Sequence, residues 1–201
     1  IHPILIGITG GIGSGKSYIC HQLEQTGHHV FYCDDVAKQI IRTQADVKRE
    51  LTALVGPDVY DAAGQLVKSV LAAYLCRGTD YSHRIDQIVH PRVAAAFKQQ
   101  AALLRPSTPT TLECDEKVIS LQQLQQLPPD SVLFMECALL FESGFDQLVD
   151  KSVVVHVSQE TQLKRLMERD HISREKALRW ISLQLAEDVK VGRADYVINN
   201  E

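Results

Sequence analysis

The sequence predicts an α/β fold in which helices flank a five-stranded parallel sheet. Three observations carry that reading. Residues 4–9, 132–135 and 152–157 are continuous apolar runs rich in β-branched side chains, the composition of strands buried on both faces. Stretches with apolar residues in helical rhythm separate these runs. A glycine cluster, Gly10-Gly11-Ile12-Gly13, follows the first run at once, as at a strand-to-helix turn.

In chain order, residues 4–9 form the first strand. Residues 16–25 place Ile19 and Leu23 four apart on a helix, and Gly27 supplies its stop. Residues 29–33, His-Val-Phe-Tyr-Cys, form the second strand and close a β-α-β unit. Residues 36–102 read as mostly helix, broken at Gly56-Pro57, Ala63-Gly64 and Gly78. A long segment at 82–104 is expected to break at His90-Pro91, because a residue before proline favours extended backbone. Residues 106–130 carry Pro106, Pro109, Pro128 and Pro129 with a Gln-rich stretch, and read as a surface excursion, since loops accept length cheaply. After the strands at 132–135 and 152–157, Ser158 caps a helix over 159–169 and Ser173 caps another running to about 189. Residues 196–198 are the fifth strand.

Composition excludes several classes of function. The 201 residues are 45% hydrophobic and 23% charged, suited to one core with a small lid. A net charge of −4 does not announce nucleic acid as a partner. Cys20, Cys33, Cys76, Cys114 and Cys137 are scattered without a C-x-x-C pair, which argues against a disulfide framework or zinc site and for a reducing cytoplasm. No apolar run approaches the length needed to span a bilayer, and no basic-then-apolar leader opens the chain, so no membrane partner is expected. The residues do not specify an oligomeric state.

Gly10-Gly11-Ile12-Gly13-Ser14-Gly15-Lys16-Ser17 satisfies G-x-x-x-x-G-K-[ST] between a strand and a helix, the arrangement of a phosphate loop. Backbone N–H groups over residues 11–17 would point inward at phosphate, through conformations a β-carbon resists. Lys16 would reach the β- and γ-phosphates, and the Ser17 hydroxyl would ligate Mg²⁺. The motif names a nucleotide but no reaction.

Carboxylates and arginines suggest the reaction. Asp34 and Asp35 follow the second strand, on the sheet edge that bears the phosphate loop. Asp34 is positioned to accept the proton of an attacking hydroxyl, while Asp35 caps the next helix; a plain helix cap is the other reading of Asp34. Arg165 and Arg169 share one helix face, with Arg174 shortly after. They form either a triphosphate clamp or a solvated basic face paired with Glu168 and Asp170. Glu136 ends the third strand, a place from which a carboxylate holds Mg²⁺, though acidic residues at strand ends are common. His90, taken alone, reads as structural or exposed, and Trp180 as core.

Ile8 to Ser17, Asp34, Ile88-Val89-His90-Pro91-Arg92-Val93, Leu139-Leu140-Phe141-Glu142 and Ala194-Asp195-Tyr196-Val197-Ile198-Asn199-Asn200 together resemble the dephospho-coenzyme A kinase family over nearly the whole chain except residues 105–131. The resemblance implies ATP-dependent phosphorylation of the ribose 3′-hydroxyl of dephospho-CoA. It implies a core of about 1–34, 131–158 and 190–201, a helical substrate region of about 36–104, an insertion of about 105–131 and a lid of about 159–189. By that likeness Asp34 is the general base and Lys16 and Ser17 handle phosphate and Mg²⁺. Arg165 and Arg169 belong to the lid, His90 and Glu142 to the acceptor side, and Asn199 and Asn200 to the adenine. The chain departs from the family where D-x-D becomes Tyr32-Cys33-Asp34, and where R-I-x-x-Q becomes Trp180-Ile181-Ser182-Leu183-Gln184, which loses an arginine or shifts it to Arg179. Residues 105–131 are longer than the family pattern suggests. The rival readings are another phosphate-loop kinase and an ATPase or GTPase switch; against the switch stands the absence of N-K-x-D.

Overall fold

The computed structural model describes residues 1–201, which divide into two compact units: Ile1–Tyr32 with Gln100–Glu201, and Cys33–Gln99. The chain enters the first unit with β1 (Ile4–Gly10), α1 (Lys16–Gln25) and β2 (His29–Tyr32). The second unit holds α2 (Cys33–Thr43), α3 (Ala45–Val55), α4 (Lys68–Leu75) and nearly all of α5 (Thr79–Leu103). The first unit then resumes with α6 (Leu121–Gln125), β3 (Val132–Glu136), β4 (Lys151–His156), α7 (Gln159–Asp170), α8 (Arg174–Ser182), α9 (Glu187–Arg193) and β5 (Tyr196–Asn199).

The five strands are all parallel, in the order β2-β3-β1-β4-β5. The central strands read as unbroken apolar runs because both faces are covered: Val132 to Met135 and Val153 to Val155 have no exposed surface. Alternate residues Ile4, Ile6, Ile8, Val132, Phe134, Val153 and Val155 pack on one face with Ile19, Cys20 and Leu23 of α1. Burying each such aliphatic or aromatic side chain contributes roughly 1.5–3 kcal/mol before conformational entropy is charged against it.

The same cluster takes in Leu112, Ile119, Leu124 and Leu127. The stretch expected as a surface excursion is therefore part of the wall of the sheet unit. Its backbone bonds to the edge strand β5, with Ile119 N–H donating to Val197 C=O and Val197 N–H to Lys117 C=O, each at 2.9 Å. The Tyr196 hydroxyl donates to Leu112 C=O at 3.2 Å. Four prolines and a run of glutamines disguise four apolar residues spaced to meet one face. α6 is started by a capping box, in which the Ser120 hydroxyl accepts from Gln123 N–H while the Gln123 side chain accepts from Ser120 N–H.

In the helical unit the expected breaks at Gly56-Pro57, at the Asp61–Gly64 turn and at Gly78 are all present, with a further break at Gln44. The break expected at His90-Pro91 is not. α5 runs unbroken for 25 residues through Pro91 and buries Ile85, Val89, Val93 and Phe97 at four-residue spacing. A proline inside a helix lacks the N–H that would bond one turn back, which opens that turn. Here Arg92 turns its guanidinium onto the same region, donating to Ile88 C=O at 2.7 Å. The buried stripe outweighs the local preference.

The late helix also differs from expectation. The run expected from Ser173 to about 189 is two helices, α8 and α9, parted at residues 183–186. Gln184 and Leu185 leave the helix for partners elsewhere: Gln184 bonds to the phosphate loop, and Leu185 packs against the cluster of Phe141, Val154 and Ala194.

Candidate active site

The phosphate loop spans the gap between β1 and α1, in the sheet unit. Gly13 and Gly15 have φ of 79° and 86°, left-handed backbone that glycine adopts without strain. Close approach is the second reason for glycine. A β-carbon on Gly10 would lie 2.7 Å from Val155 C=O, one on Gly11 would collide with the Gln162 amide, and one on Gly15 with the Asn200 amide. α1 starts at Lys16, so the loop amides and the positive end of the helix dipole converge where an anion would sit.

Lys16 and Glu136 face each other at this edge of the sheet. β3 lies beside β1 with Ile8 in register with Glu136, and Lys16 Nζ lies 3.9 Å from Glu136 Oε1. Glu136 is only 9% exposed, and with the Ser17 hydroxyl it supplies oxygen donors of the kind Mg²⁺ prefers. No group of three or more His, Cys, Asp or Glu side chains forms a metal cage.

A cleft of about 500 Å³ opens over the loop, lined by Gly13, Gly15, Lys16, Ser17, Arg165, Glu168 and Arg169. The two arginines expected on one face do meet the loop's cleft, but with different partners. Arg165 donates to the carbonyls of Gly13 (3.3 Å), Ser14 (3.1 Å) and Asn200 (2.8 Å), so its charge braces the loop from behind. Arg169 is mostly exposed and pairs with Asp170 at 2.7 Å, which holds the Asp170 carboxyl below its ordinary range. Arg174 does not join them: it is held by Glu160 at 2.6 Å. Arg179 is exposed and pairs with Glu175 on its own helix at 3.2 Å.

Other expected residues fall as follows. Asp34 sits in the first turn of α2, two residues beyond Tyr32, which is in register with Glu136. Its carboxylate is exposed and pairs with Lys38 at 2.8 Å. Asp35 is not a cap: the helix already begins at Cys33, which places Asp35 inside the first turn. Tyr32 does not stand in for a second carboxylate, because burial pushes its phenol up and keeps it neutral. His90 pairs with Asp86 at 3.4 Å within α5. The Glu142 carboxylate accepts from Leu185 N–H at 3.4 Å. Asn199 ends β5 with its side chain exposed, and it is Asn200 that reaches the loop, its side-chain amide donating to Ser14 C=O at 3.0 Å. Trp180 packs with Leu163, Leu166 and Ala177, as a core residue should.

Three residues of this site were not among those expected. Gln162, only 5% exposed, donates to Ile12 C=O at 3.0 Å, and Gln184 accepts from Ile12 N–H at 2.7 Å. Lys190 is 1% exposed, and burial lowers its ammonium pKa against the pull of Glu187 and Glu142. Glu187 is itself bonded to His156 Nδ1 at 2.8 Å. Only Gln184 lay in a stretch whose pattern was noticeable, as the glutamine of R-I-x-x-Q.

A parallel sheet ordered β2-β3-β1-β4-β5, a glycine loop leading into α1, and a lysine and a strand-end carboxylate at one edge define a phosphate-loop nucleotide-binding protein. The dephospho-CoA kinase family model matches residues 4–114 and 117–201. The chain belongs to the dephospho-CoA kinase family. It is 35% identical to the dephospho-CoA kinase of Bacteroides fragilis over 198 residues, which covers 98% of this chain and 85% of that one. It is 34% identical to that of Chlorobium luteolum over 205 residues, covering all of this chain and 84% of the relative. A crystal structure of a Thermus thermophilus protein superposes with a TM-score of 0.77 at 27% identity, covering 100% of this chain and 90% of that one. Between residues 4 and 201 the match leaves out only 115 and 116, so the proline- and glutamine-bearing segment belongs to the family frame. No helix is long and apolar enough to cross a membrane.

Proposed function

We propose that the chain transfers the γ-phosphoryl group of ATP to the ribose 3′-hydroxyl of dephospho-CoA, giving coenzyme A and ADP, the last step of coenzyme A synthesis. The observation that carries it is Lys16 facing Glu136 beneath a nest of loop amides, in a chain of this family. The acceptor hydroxyl oxygen forms the new bond to the γ-phosphorus, the bond to the β,γ-bridging oxygen breaks, and the hydroxyl proton passes to Asp34. Lys38, whose ammonium the Asp34 bond holds above the ordinary lysine range, keeps that carboxylate oriented until the acceptor arrives.

Of the loop over residues 11–17, the amides not already held within the protein, as Ile12 N–H is by Gln184 and Ser14 N–H by Gly11 C=O, bind the β- and γ-phosphates together with Lys16 and offset the charge that spreads over the transferred group. Ser17 and Glu136 would hold Mg²⁺; a hydroxyl and a carboxylate suit an ion that takes its remaining oxygens from phosphate and water. When bound, the ion neutralises phosphate charge. Arg169, exposed on the cleft, exchanges Asp170 for the triphosphate, whereas Arg165 stays on the loop carbonyls. We assign the end of β5, Asn199 and Asn200, to the adenine side, α7 and α8 to a lid, and the helical unit with His90, together with Glu142, to the acceptor. Five cysteines that form no disulfide suit a reducing compartment such as the cytoplasm.

ADP release measured side by side with dephospho-CoA, AMP, CMP and shikimate tests this reading. Turnover is expected with dephospho-CoA alone. Preference for one of the other three would remove the acceptor assignment while leaving phosphoryl transfer intact.

A further inference from the structure

Residue 12 of the phosphate loop is held on three sides by the helices that follow β4. Its side chain packs into the apolar cluster of α7 and α8, with Leu163, Leu166, Ala177 and Trp180. Its N–H donates to Gln184 Oε1 at 2.7 Å, and its C=O accepts from Gln162 Nε2 at 3.0 Å. Both flanking glycines serve the same contact. A β-carbon on Gly11 would strike the Gln162 amide, and one on Gly13 would lie 3.1 Å from the Gln162 carbonyl. Gln184 sits where α8 gives way to the turn before α9, so the bond to Ile12 coincides with that helix ending.

We propose that Gln162 and Gln184 are positioning residues that clasp the Ile12 peptide, so that the amide nest and the Arg165-bearing helix α7 form one body and the nest is set for phosphate before ATP arrives. The proposal rests on the nucleotide-binding reading of the loop. Neither glutamine touches the phosphates; each fixes the orientation of the peptide planes beside those that do. Pre-ordering the nest lowers what ATP must organise on binding. α7 therefore stays fixed beside the cleft as part of the lid, and closure falls to the Arg169 side chain.

The two glutamines play opposite hydrogen-bonding roles, which separates the clasp from simple charge or packing. Gln184→Glu keeps an acceptor for Ile12 N–H, whereas Gln162→Glu removes the donor to Ile12 C=O; both add one negative charge beside the same residue. ATP affinity measured by calorimetry in Mg²⁺ should fall about tenfold in Gln184→Ala, which leaves the Ile12 N–H without its partner. Gln162→Glu should bind about tenfold more weakly than Gln184→Glu, and the KM for dephospho-CoA should stay unchanged in Gln184→Ala. Amide exchange of Ile12, followed by NMR in the full chain without ligand, should be protected in the wild type and fast in Gln184→Ala; this readout stands even where Gln162→Glu folds poorly. ATP binding in Gln184→Ala within about twofold of the wild type, or an Ile12 amide equally protected in both, would overturn the clasp alone. Failure of the wild type to bind ATP would overturn the clasp together with the nucleotide reading.

Discussion

The sheet unit and the helical unit are held by different kinds of polar contact. In the sheet unit the phosphate loop is fixed by side-chain hydrogen bonds to residues 150, 172 and 186 positions away in sequence: Gln162, Gln184 and Asn200. In the helical unit Arg92 bonds to Asp46, 46 positions away, and several side-chain contacts are half-exposed ion pairs. Bonds that close long stretches of chain fix a loop in one geometry, which phosphoryl transfer demands. Exposed ion pairs contribute little and exchange partners readily, which would suit the acceptor-side role proposed for this region.

The sharpest way to break this contrast is to disable one charge in each unit. Lys16→Ala should lower kcat/KM about a thousandfold and weaken ATP binding as well, because a cation that meets the phosphates is lost. Asp34→Asn should lower kcat by about 10² to 10⁴ while leaving the calorimetric Kd for ATP unchanged, since only the proton acceptor is removed. Equal loss of ATP binding in both would mean that the division of labour is wrong. Next in size is Phe97→Ala, which deletes a fully buried ring in α5 and should cost about 3 to 5 kcal/mol in urea unfolding. ATP affinity should persist in that variant wherever it remains folded.

A smaller effect concerns Lys190, the buried lysine of α9. Its folded-state pKa lies below its unfolded value, so the unfolded chain binds more protons between the two. Stability from this residue is present above the unfolded pKa and is lost as pH falls through the folded one. Wild-type melting temperature should thus rise relative to Lys190→Met as pH climbs towards the ordinary lysine value of about 10, since the methionine removes the buried charge at every pH. A constant difference between the two across that range would show that Lys190 does not titrate differently on folding. Smallest of all, Arg92→Ala removes the ion pairs to Asp46 and Glu50 and the bond to Ile88 C=O. The Asp46 carboxyl is held below its ordinary range by Arg92, so that pairing acts above the ordinary aspartate pKa and fades as acid protonates the carboxyl. Wild type and variant should converge in melting temperature in strong acid, apart from the share due to the Ile88 bond.

The particular residues show where sequence reading reached and where it stopped. The strands, the glycine loop, Lys16, Ser17 and Glu136 were legible, because each depends on a few consecutive residues or on the place where a run ends. Ser158 and Ser173 were also read correctly as caps, with their hydroxyls accepting from Thr161 and Lys176 N–H. The continuity of α5 through Pro91 was not legible, since burial of a stripe overruled a local preference. Nor were the parting of α8 from α9 and the packing of residues 105–131, which depend on partners far along the chain. Nor was it legible which of Asn199 and Asn200 reaches the loop: adjacent strand-end residues point to opposite faces, and only the fold shows that it is Asn200.

Chain chemistry alone settled the kind of layers this protein builds and the anion-binding turn between the first strand and helix, because strand composition, glycine freedom and helix starts are properties of neighbouring residues. Tertiary structure alone decided which glutamines, arginine and asparagine grip that turn, and that a proline-bearing segment completes the sheet's wall. The bonds that make those contacts join distant parts of the chain, from Ile119 with Val197 to Ser14 with Asn200, and no local pattern encodes a partner that only folding brings near.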